Sequence, residues 1–374
     1  MSPTPSRELR IGMDGRELEG KSTGVGRYVR SLLRRFALQD RHHFIIYSAS
    51  PVALPVASPR IETRVLPGGP ALIWEQRTLP GFLRADRIDV LLSPAYSCPL
   101  TGSVPRVTAI HDLSFFARRE EFGFLHGLRR RTLAGLSARV SQRVLACSVF
   151  TKTEIRRHLG EAAAAKTEVV LLGPDDDLPP GPGREASRAA LGLEEGAPYV
   201  VTVGTVLRRR NVGMLVRAMA RLREKHPGAR LAIVGENRSH PFEDVSLLAA
   251  SLGCGDAVLV SGFVSDEAVA CHYAAADAAV FLSEYEGFGL PTLEAMSRGV
   301  PTIIANRGSL NELFSGAALV VEPEEMPVAD ALSRILSDSV TRADLREKGR
   351  ERARTFSWER AAAETLSVLE RAAG

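Results

Sequence analysis

Short apolar runs alternate with amphipathic stretches along the chain. The run at residues 9–13 is followed by apolar residues three and four positions apart at 25–37, and the same order recurs downstream. Runs of the first kind are typical of buried strands, and stretches of the second kind are typical of helices that cover a sheet. The pattern therefore predicts an α/β protein with parallel sheets between covering helices. The predicted strands are residues 9–13, 44–47, 65–66, 90–92, 107–110, 144–146, 169–172, 199–203, 230–234, 258–260, 276–281 and 300–305. The predicted helices are residues 25–37, 151–158, 212–225, 245–252, 267–275, 328–336, 342–354 and 358–372, and one more begins at Pro291.

The chain is long enough for two such sheets. Its 374 residues, 45% of them hydrophobic, can bury more than one core. A stretch rich in glycine and proline at 173–183 interrupts the alternation, and we assign its three consecutive aspartates to solvent and not to a metal. We therefore predict a first doubly wound domain at 1–174, a linker at 175–190 and a second such domain at 191–355. Residues 356–374 are predicted to form a C-terminal helix that packs back on the first domain.

The charge of the chain is unevenly distributed. The net charge is +4, but residues 1–174 carry about +11 and residues 175–374 about −7. We expect the first half to meet an anionic partner other than nucleic acid, because no aromatic-rich or helix-turn-helix signature accompanies its arginines. The arginines at 118–119 and 129–131 motivate the hypothesis of peripheral contact with an anionic membrane at its inner face. A solvated helix face is the alternative.

Two further features bear on the location of the protein. No apolar run reaches the length of a signal peptide or a membrane span. The four cysteines, Cys98, Cys147, Cys254 and Cys271, follow neither metal-ligand nor redox spacing. We therefore expect a cytoplasmic protein with reduced thiols.

The most informative segment is Glu-Gly-Phe-Gly-Leu-Pro-Thr-Leu-Glu at residues 286–294. It lies between two apolar runs, so we interpret it as a loop that leads into a helix. Pro291 suits the first helical turn, and the glycines let backbone amides approach an anion at the helix start. Glu294 could then chelate a ribose diol at the carboxyl end of the strand, and Glu286 could accept a hydrogen bond from a hexose hydroxyl. Either glutamate alone would suit a solvated surface, but their ordered combination favours a sugar-nucleotide site.

Two other segments could contact phosphate groups. Arg208, Arg209 and Arg210 follow the strand predicted at 199–203, and guanidinium groups match phosphate oxygens in a bidentate manner. Gly24 and Gly26 precede the first helix, where their amides could face a diphosphate. A tight turn explains these two glycines equally well.

His111 ends the predicted strand at 107–110. This position is the ligand edge of a parallel sheet, which favours a ligand contact, although a single histidine is often structural. The other seven histidines show neither metal spacing nor a nearby nucleophile pattern.

The chain resembles the retaining, nucleotide-sugar-dependent glycosyltransferases of family 4, which include many bacterial mannosyltransferases. The most specific element is the glutamate pair, Glu286 and Glu294, continued by Ala-Met-Ser-Arg-Gly-Val-Pro at 295–301 and Gly-Ser-Leu-Asn-Glu at 308–312. The resemblance spans nearly the whole chain. It implies the GT-B fold, in which two Rossmann-like doubly wound domains face an interdomain cleft. The first domain would lie on the acceptor side and the second would bind the nucleotide sugar.

The resemblance also implies roles for individual residues. Glu286 is associated with the hydroxyls of the donor sugar, Glu294 with the ribose, and His111 with the active-site histidine. Arg209 and Arg210 take the place of the basic pair that neutralises the diphosphate, with arginine at 210 where relatives commonly have lysine. Among the other donor-binding positions, Thr205 stands where some relatives have arginine, and Val264 and Asp266 belong to the loop that holds the base. The full implied donor-binding set is Glu294, Gly287, Phe288, Gly289, Leu290, Gly24, Gly26, Thr205, Val264 and Asp266.

On this basis we expect a retaining, metal-independent hexosyltransferase. It would move a hexose, with mannose favoured, from a nucleoside diphosphate sugar to a hydroxyl of a glycan or lipid-linked acceptor. GDP-mannose is the favoured donor, no separate cofactor is implied, and the arginines would stabilise the departing diphosphate without a metal. Two alternatives stay open: a GT-B sugar-nucleotide epimerase, which needs no acceptor, and a non-catalytic sugar-nucleotide-binding subunit.

Overall fold

The computed structural model describes residues 7–20 and 23–374. The chain divides into two compact units. Unit 1 comprises the chain up to Ala117, Phe124–Gly173 and Ser357–Gly374, and unit 2 comprises Arg118–Gly123 and Pro174–Phe356. Residues 1–6, which open the predicted first domain, lie outside the described residues, as do residues 21 and 22.

Unit 1 contains one sheet of seven parallel strands. The strands are β1 Arg10–Asp14, β2 His43–Ser48, β3 Ile61–Val65, β4 Val90–Ser93, β5 Arg106–Ile110, β6 Arg143–Ala146 and β7 Thr167–Val169. Their order in the sheet is β3-β2-β1-β4-β5-β6-β7, and all neighbours are parallel. The order reverses between β1 and β4. Ligands of open α/β sheets bind at the carboxyl ends of the strands at such a reversal.

Unit 2 contains a second parallel sheet, of six strands. The strands are β8 Tyr199–Val203, β9 Arg230–Val234, β10 Val258–Gly262, β11 Ala278–Phe281, β12 Thr302–Ala305 and β13 Leu319–Val321. Their order is β10-β9-β8-β11-β12-β13. The order reverses between β8 and β11, so the carboxyl ends of these two strands mark the expected ligand edge of unit 2.

Helices cover both sheets. Those of unit 1 are α1 Gly24–Phe36, α2 Ala71–Ile73, α3 Leu79–Ala85, α4 Ser114–Ala117, α5 Phe124–Val140, α6 Val149–Leu159 and α7 Glu161–Ala165, together with a π-helical turn Trp74–Thr78, a 3-10 turn Arg16–Leu18 and the C-terminal helix Trp358–Ala373. Those of unit 2 are α8 Arg184–Ala190, α9 Val212–Lys225, α10 Val245–Ser251, α11 Asp266–Ala275, α12 Leu290–Ser297, α13 Gly308–Phe314, α14 Glu325–Ser337 and α15 Ser339–Arg354, with 3-10 turns Arg119–Glu121, Arg208–Arg210, Gly255–Ala257 and Ser315–Ala317.

The central strands are buried along their length. Every residue of β4, β5, β11 and β12 is buried. Helices therefore cover both faces of each sheet, which explains why most residues of these strands are apolar. The prediction of two Rossmann-like doubly wound domains with parallel sheets is confirmed.

Several predicted boundaries were wrong. The strand predicted at 65–66 is β3 Ile61–Val65, an edge strand whose alternating polar residues hid it from a search for apolar runs. The strand predicted at 169–172 is β7 Thr167–Val169. The predicted linker at 175–190 contains α8, whose first residue Arg184 pairs with Asp277 of unit 2 at 2.6 Å. Helix α5 was not predicted.

The C-terminal helix belongs to unit 1, where it lies beside α1. Glu359 pairs with Arg35 at 2.8 Å, and the Trp358 ring lies 6.0 Å from that of Tyr28. A Cβ at Gly173 would lie 2.6 Å from the backbone nitrogen of Trp358. The chain therefore leaves unit 1 at Gly173 and returns to it at Ser357 through two adjacent, closely packed segments.

Within residues 7–20 and 23–374, no helix combines the length and apolar character needed to cross a membrane.

Candidate active site

The carboxyl ends of β8 and β11 carry most of the predicted site residues in unit 2. The loop after β8 contains the turn Arg208–Arg210, and the loop after β11 contains Glu286. Two hydrogen bonds join the loops: the Asn211 side-chain amide donates to the Leu282 carbonyl at 3.1 Å, and the Glu284 amide donates to the Arg209 carbonyl at 2.8 Å. The basic turn and the acidic loop are therefore held together at the strand-order reversal.

Arg210 and Glu286 form an ion pair in this region. The Arg210 Nη2 donates to Glu286 Oε1 at 2.9 Å, and the two side chains are 22% and 18% exposed. The guanidinium lies directly over Gly204 at the end of β8, where a Cβ would come within 1.9 Å of Arg210 Nη1. Gly204 also has a φ of +121°, so its backbone conformation favours glycine, and an added Cβ would displace the guanidinium. Sequence analysis had not assigned a role to Gly204.

Arg209 faces a second carboxylate. Its Nη1 donates to Glu121 Oε2 at 2.7 Å, and the Glu121 side chain is only 6% exposed. Arg118, from the same short segment of unit 2, pairs with Glu284. Segment Arg118–Gly123 therefore contributes both a carboxylate and a cation beside the basic turn, and an anionic ligand of Arg209 would compete with Glu121 for it.

The glycine-rich turn ends where α12 begins. Gly289 has a φ of +98°, and a Cβ there would lie 2.6 Å from Leu310 Cδ2 and 3.4 Å from Thr292 Oγ1. Thr292 is fully buried, and within the described part of the chain its hydroxyl oxygen has no hydrogen-bond partner. The helix start thus combines amides, a macrodipole and a buried hydroxyl beside a glycine, a combination suited to an anion.

The turn residues differ in what they can offer a ligand. The Phe288 side chain is buried against Phe314 and Phe356, with ring centroids 6.2 and 5.7 Å apart. Only its backbone is left for a ligand. Gly287 is buried, and Leu290 at the start of α12 is half-buried.

Glu294 lies deeper than a surface ligand contact requires. Its side chain is buried, and Tyr273 Oη is 3.4 Å from Oε2. The same hydroxyl donates to the Pro291 carbonyl at 3.1 Å, which fixes the first turn of α12. Arg298 follows on the helix, and burial lowers its pKa despite the opposing charges of Tyr273 and Glu294.

The two residues predicted to hold the base lie at the start of α11. Val264 is half-buried in the loop after β10, and Asp266 is the first residue of the helix. Ser265 caps this helix by accepting from the Ala268 amide. Because α11 also carries Tyr273, it connects this loop to Glu294. Thr205 is half-buried in the loop after β8, next to Gly204.

Gly24, Gly26 and His111 belong to unit 1. His111 Nε2 lies 2.7 Å from the Pro94 carbonyl oxygen, so the imidazole donates through Nε2 and keeps the Nδ1 lone pair for accepting. Its ring meets Tyr28 and Tyr96 edge to face, with centroids 4.9 and 5.9 Å apart. Burial lowers the pKa of His111, although Pro94 and Asp112 act in the opposite direction. The imidazole is therefore neutral near pH 7.

The glycines of the first helix are both inside its first turn. Neither has a positive φ, so the tight-turn alternative does not explain them. Gly26 is needed for space, since a Cβ would lie 2.6 Å from the Glu17 carbonyl oxygen, and its amide donates to Thr23 Oγ1 at 2.9 Å. Gly24 is exposed, and a Cβ there would meet nothing within 4 Å.

Sequence analysis missed a charged network at the strand-order reversal of unit 1. Arg16 Nη2 lies 2.6 Å from Asp14 Oδ2 and 2.8 Å from Glu75 Oε1, and Ser97 donates to the same Glu75 oxygen at 2.7 Å. The guanidinium also stacks over Trp74 at 4.8 Å. Burial alone would lower the pKa of Arg16, but the two carboxylates raise it well above its ordinary value. Asp14 at the end of β1 offered a signal for this network, whereas Glu75 on a π-helical turn offered none.

Among the described residues, no cluster of three or more histidine, cysteine, aspartate or glutamate side chains could hold a metal ion.

Comparison with known proteins identifies the class of this fold and site. The model described as Glycosyltransferase Family 4 matches residues 22–178, and the model described as Glycosyl transferases group 1 matches residues 183–352. Together they cover most of both units. The chain is therefore a glycosyltransferase of the GT-B fold.

The chain belongs to glycosyltransferase family 4. It is 28% identical to a D-inositol 3-phosphate glycosyltransferase of Xylanimonas cellulosilytica over 94% of this chain and 93% of that protein. It is 29% identical to the O-antigen chain mannosyltransferase B of Escherichia coli over 71% of this chain and 70% of that protein.

Solved structures share the fold at lower identity. A sucrose-phosphate synthase from Thermosynechococcus elongatus superposes with a TM-score of 0.79 at 23% identity, covering 97% of this chain and 99% of that one. The Anabaena HepE structure in complex with UDP-glucose superposes with a TM-score of 0.75 at 20% identity, covering 96% of this chain and 100% of that one. These likenesses establish the architecture.

Proposed function

We propose that this glycosyltransferase moves a hexose from a nucleoside diphosphate sugar to a hydroxyl of a glycan or lipid-linked acceptor, with retention of configuration at the anomeric carbon. The acceptor class and the stereochemistry follow from the family resemblance. The reaction would take place in the cytoplasm and would use no bound metal.

The observation that carries the proposal is the pair of Arg210 and Glu286 beside Arg209. Two guanidinium groups lie at the carboxyl ends of β8 and β11, each beside a carboxylate that a phosphate could replace, and α12 begins in the loop after β11. A diphosphate of opposite charge fits this region, since guanidinium groups and helix amides both bind phosphate oxygens. Glu286, 2.9 Å from Arg210, would accept hydrogen bonds from sugar hydroxyls next to the phosphates.

In the proposed reaction these groups stabilise the leaving diphosphate. The bond between the anomeric carbon and the diphosphate oxygen breaks, and negative charge develops on the diphosphate. Arg209, Arg210 and the amides at Gly289 and Leu290 stabilise that charge, and preorganised groups of this kind contribute several kcal/mol. The acceptor hydroxyl oxygen bonds to the anomeric carbon on the same face, and its proton passes to the departing phosphate oxygen.

His111 would act on the sugar or the acceptor as a neutral group. With Nε2 committed to the Pro94 carbonyl, Nδ1 can accept a hydrogen bond from a hydroxyl. The lowered pKa keeps this lone pair available at neutral pH. We assign it a positioning role and no nucleophilic one.

GDP-mannose is the donor we propose. The resemblance to bacterial mannosyltransferases and the relative named as an O-antigen chain mannosyltransferase support mannose. A UDP-linked sugar is the competing choice, because the HepE structure of similar fold binds UDP-glucose. Val264 and Asp266 would contact the base, and Glu294 and Thr205 would lie on the ribose and phosphate side.

A thermal-shift panel tests the donor. GDP-mannose, GDP, UDP-glucose and UDP are each titrated into the wild-type protein and into Arg210→Ala. We expect the largest stabilisation of the wild type from GDP-mannose and a smaller one in the variant, because a ligand that binds only the folded state stabilises it by an amount that grows with the logarithm of its affinity. A larger shift with UDP-glucose than with GDP-mannose would overturn the choice of nucleotide but leave the reaction class intact.

Product analysis separates the alternatives to transfer. An epimerase converts the donor sugar without an acceptor, so incubation with donor alone would yield a second nucleotide sugar. A non-catalytic subunit would bind the donor and give no product with any acceptor. A new glycosidic bond with the anomeric configuration of the donor, formed only when an acceptor is added, is the outcome that the proposal requires.

A further inference from the structure

Helix α5 has its small residues inside and its large apolar residues outside. Gly127, Ala134, Ser137 and Ala138 are its buried residues. Phe124 and Leu125, in contrast, are 76% and 77% exposed, and Leu128 and Leu136 are 45% and 41% exposed. Helices that cover a sheet normally bury their large apolar side chains, so this outward set needs a separate explanation.

The exposed apolar residues share one face of the helix with basic residues. Phe124 and Leu128 are four positions apart, and Leu125 and Leu136 follow on the adjoining stripe at helical spacing. Arg129 and Arg139 project on the same side, and both are exposed. From Phe124 to Leu136 this face is about 18 Å long at 1.5 Å per residue. We refer to these residues as the outer face of α5.

Helix α5 itself carries no acidic side chain. No aspartate or glutamate occurs between Glu121 and Glu154, while Arg129, Arg130 and Arg139 are exposed. The arginines at 118–119 and 129–131 differ in their contacts. Arg118 pairs with Glu284, and Arg131 donates to the Phe115 carbonyl at 3.1 Å, so these two have structural partners.

A membrane surface suits this combination better than a second copy of the chain. A two-fold contact would place the arginines of one outer face against those of the other, which is unfavourable. An anionic bilayer accepts both features, because apolar side chains enter the acyl boundary while arginines meet the lipid phosphates. No helix of the described residues is suited to spanning a bilayer, so such binding would be peripheral.

We propose that the outer face of α5, led by Phe124, Leu125 and Leu128 and flanked by Arg129 and Arg139, binds the surface of an anionic lipid bilayer. The surface proposal stands on exposure and charge alone. Only its benefit, access to a lipid-linked acceptor, rests on the function proposed above.

Vesicle co-sedimentation of the full chain tests the surface. Wild-type protein is mixed with phosphatidylcholine vesicles and with vesicles of equal parts phosphatidylcholine and phosphatidylglycerol. One variant carries Phe124→Ser, Leu125→Ser and Leu128→Ser, and another carries Arg129→Gln and Arg139→Gln. All of these residues are exposed, so we expect unchanged thermal unfolding and can compare binding directly.

Matched controls lie on unit 2. Leu247→Ser with Val340→Ser removes apolar side chains that are 68% and 76% exposed, and Arg217→Gln with Lys225→Gln removes the same charge from α9. These variants should bind vesicles as the wild type does. They separate an effect of the outer face from a general effect of hydrophobicity or net charge.

The expected result is binding to the anionic vesicles and not to phosphatidylcholine alone. The arginine variant should lose about thirtyfold in partitioning, since each of the two basic residues near an anionic surface contributes about 1 kcal/mol. The serine variant should lose at least as much. The proposal would be overturned if wild-type protein bound anionic vesicles no better than phosphatidylcholine vesicles, or if the serine variant partitioned like wild type. A wild-type dimer in vesicle-free solution that becomes a monomer in the serine variant would also overturn it, in favour of self-association.

Glycosyl transfer is measured in parallel with an acceptor in solution and no vesicles. The outer-face variants should retain wild-type rates in that assay. Loss of vesicle binding with intact transfer therefore concerns the surface alone, and absence of transfer in the wild type concerns the proposed function alone.

Discussion

The two units place charged groups at the same topological position but hold them differently. At the strand-order reversal of unit 2, the Arg210 and Glu286 side chains are 22% and 18% exposed. At the corresponding position of unit 1, the Asp14 and Glu75 side chains are 7% and 3% exposed, and Arg16 joins both. The Arg210–Glu286 pair of unit 2 is open enough to exchange its partners for a ligand. Those of unit 1 are fixed to one another.

This difference predicts that the unit 2 pair matters mainly for ligand binding and turnover, whereas the unit 1 network also stabilises the folded state. Removing one member of a buried charged set leaves the others without a partner in a poorly solvated place, which costs folding free energy. Removing one member of a half-exposed pair leaves a group that water can reach, so the cost falls mainly on ligand binding and turnover. The comparison can be tested by substitutions on each side.

The largest effect is expected from Glu286→Ala. Loss of the carboxylate removes a contact to the donor sugar and releases Arg210, so kcat should fall by about a hundredfold to a thousandfold, as for other preorganised polar groups of active sites. Thermal unfolding should be unchanged, since the side chain is partly solvated. Steady-state kinetics and a melting curve on the same preparation measure both.

Glu284→Ala is the matched control for this prediction. Glu284 lies two residues earlier on the same loop and pairs with Arg118. We expect its loss to change kcat by no more than a few fold, because exposed ion pairs contribute little. Equal losses in the two variants would mean that the loop as a whole, and not the Glu286 carboxylate, supports turnover.

Arg16→Ala should produce the largest loss of stability. It leaves Asp14 and Glu75 buried without their cation and removes the stack on Trp74, so the free energy of unfolding should fall by about 3 kcal/mol. Urea unfolding measures the change. Arg156→Ala, which breaks an exposed pair with Glu161, is the control and should cost less than about 1 kcal/mol. An Arg16 variant as stable as that control would contradict the contrast between the units.

The charged site residues that the sequence predicted lie in unit 2, and the charged network that it did not predict lies in unit 1. The residues of unit 2 lie in two continuous segments, after β8 and after β11, so glycines, arginines and glutamates at fixed spacing predicted their neighbourhood. The unit 1 network joins Asp14 and Arg16 after β1 to Glu75 and Ser97, which are far from them in the sequence and meet them only in the folded unit. No local pattern encodes such a meeting.

The prediction of strands and helices was limited in the same way. Strands such as β4 and β11 are mostly apolar because both faces are covered, and this pattern predicted them. Helix α5 was missed because its outward residues are as apolar as its inward ones, which removes the helical period. The edge strand β3 was misplaced because solvent reaches its alternate residues.

Arg210→Lys should have an intermediate effect. The ammonium keeps the charge but loses the planar fork that spans Gly204 and Glu286, so we expect the KM for the donor to rise about tenfold with a smaller change in kcat. Gly204→Ala gives an independent readout, because its Cβ would occupy the position of the Arg210 guanidinium. If the lysine variant behaves as wild type, charge alone suffices at this position.

The smallest effect concerns one buried histidine in each unit. Burial lowers the pKa of both His111 and His272 below the ordinary value. As pH falls through about 6.5, the unfolded chain takes up protons that these folded imidazoles do not, so the free energy of unfolding decreases on acidification, by at most about 1.4 kcal/mol per pH unit for each histidine. His272→Gln and His111→Gln should each flatten this slope in urea unfolding between neutral and mildly acidic pH.

The pH dependence of the glycosyl-transfer rate should distinguish the two variants. Activity that depends on the neutral His111 declines as pH falls through its lowered pKa, so only His111→Gln should alter the pH–rate profile. Identical pH–rate profiles in the wild type and both variants would remove His111 from the site and leave unit 1 with a structural role at this edge of the sheet.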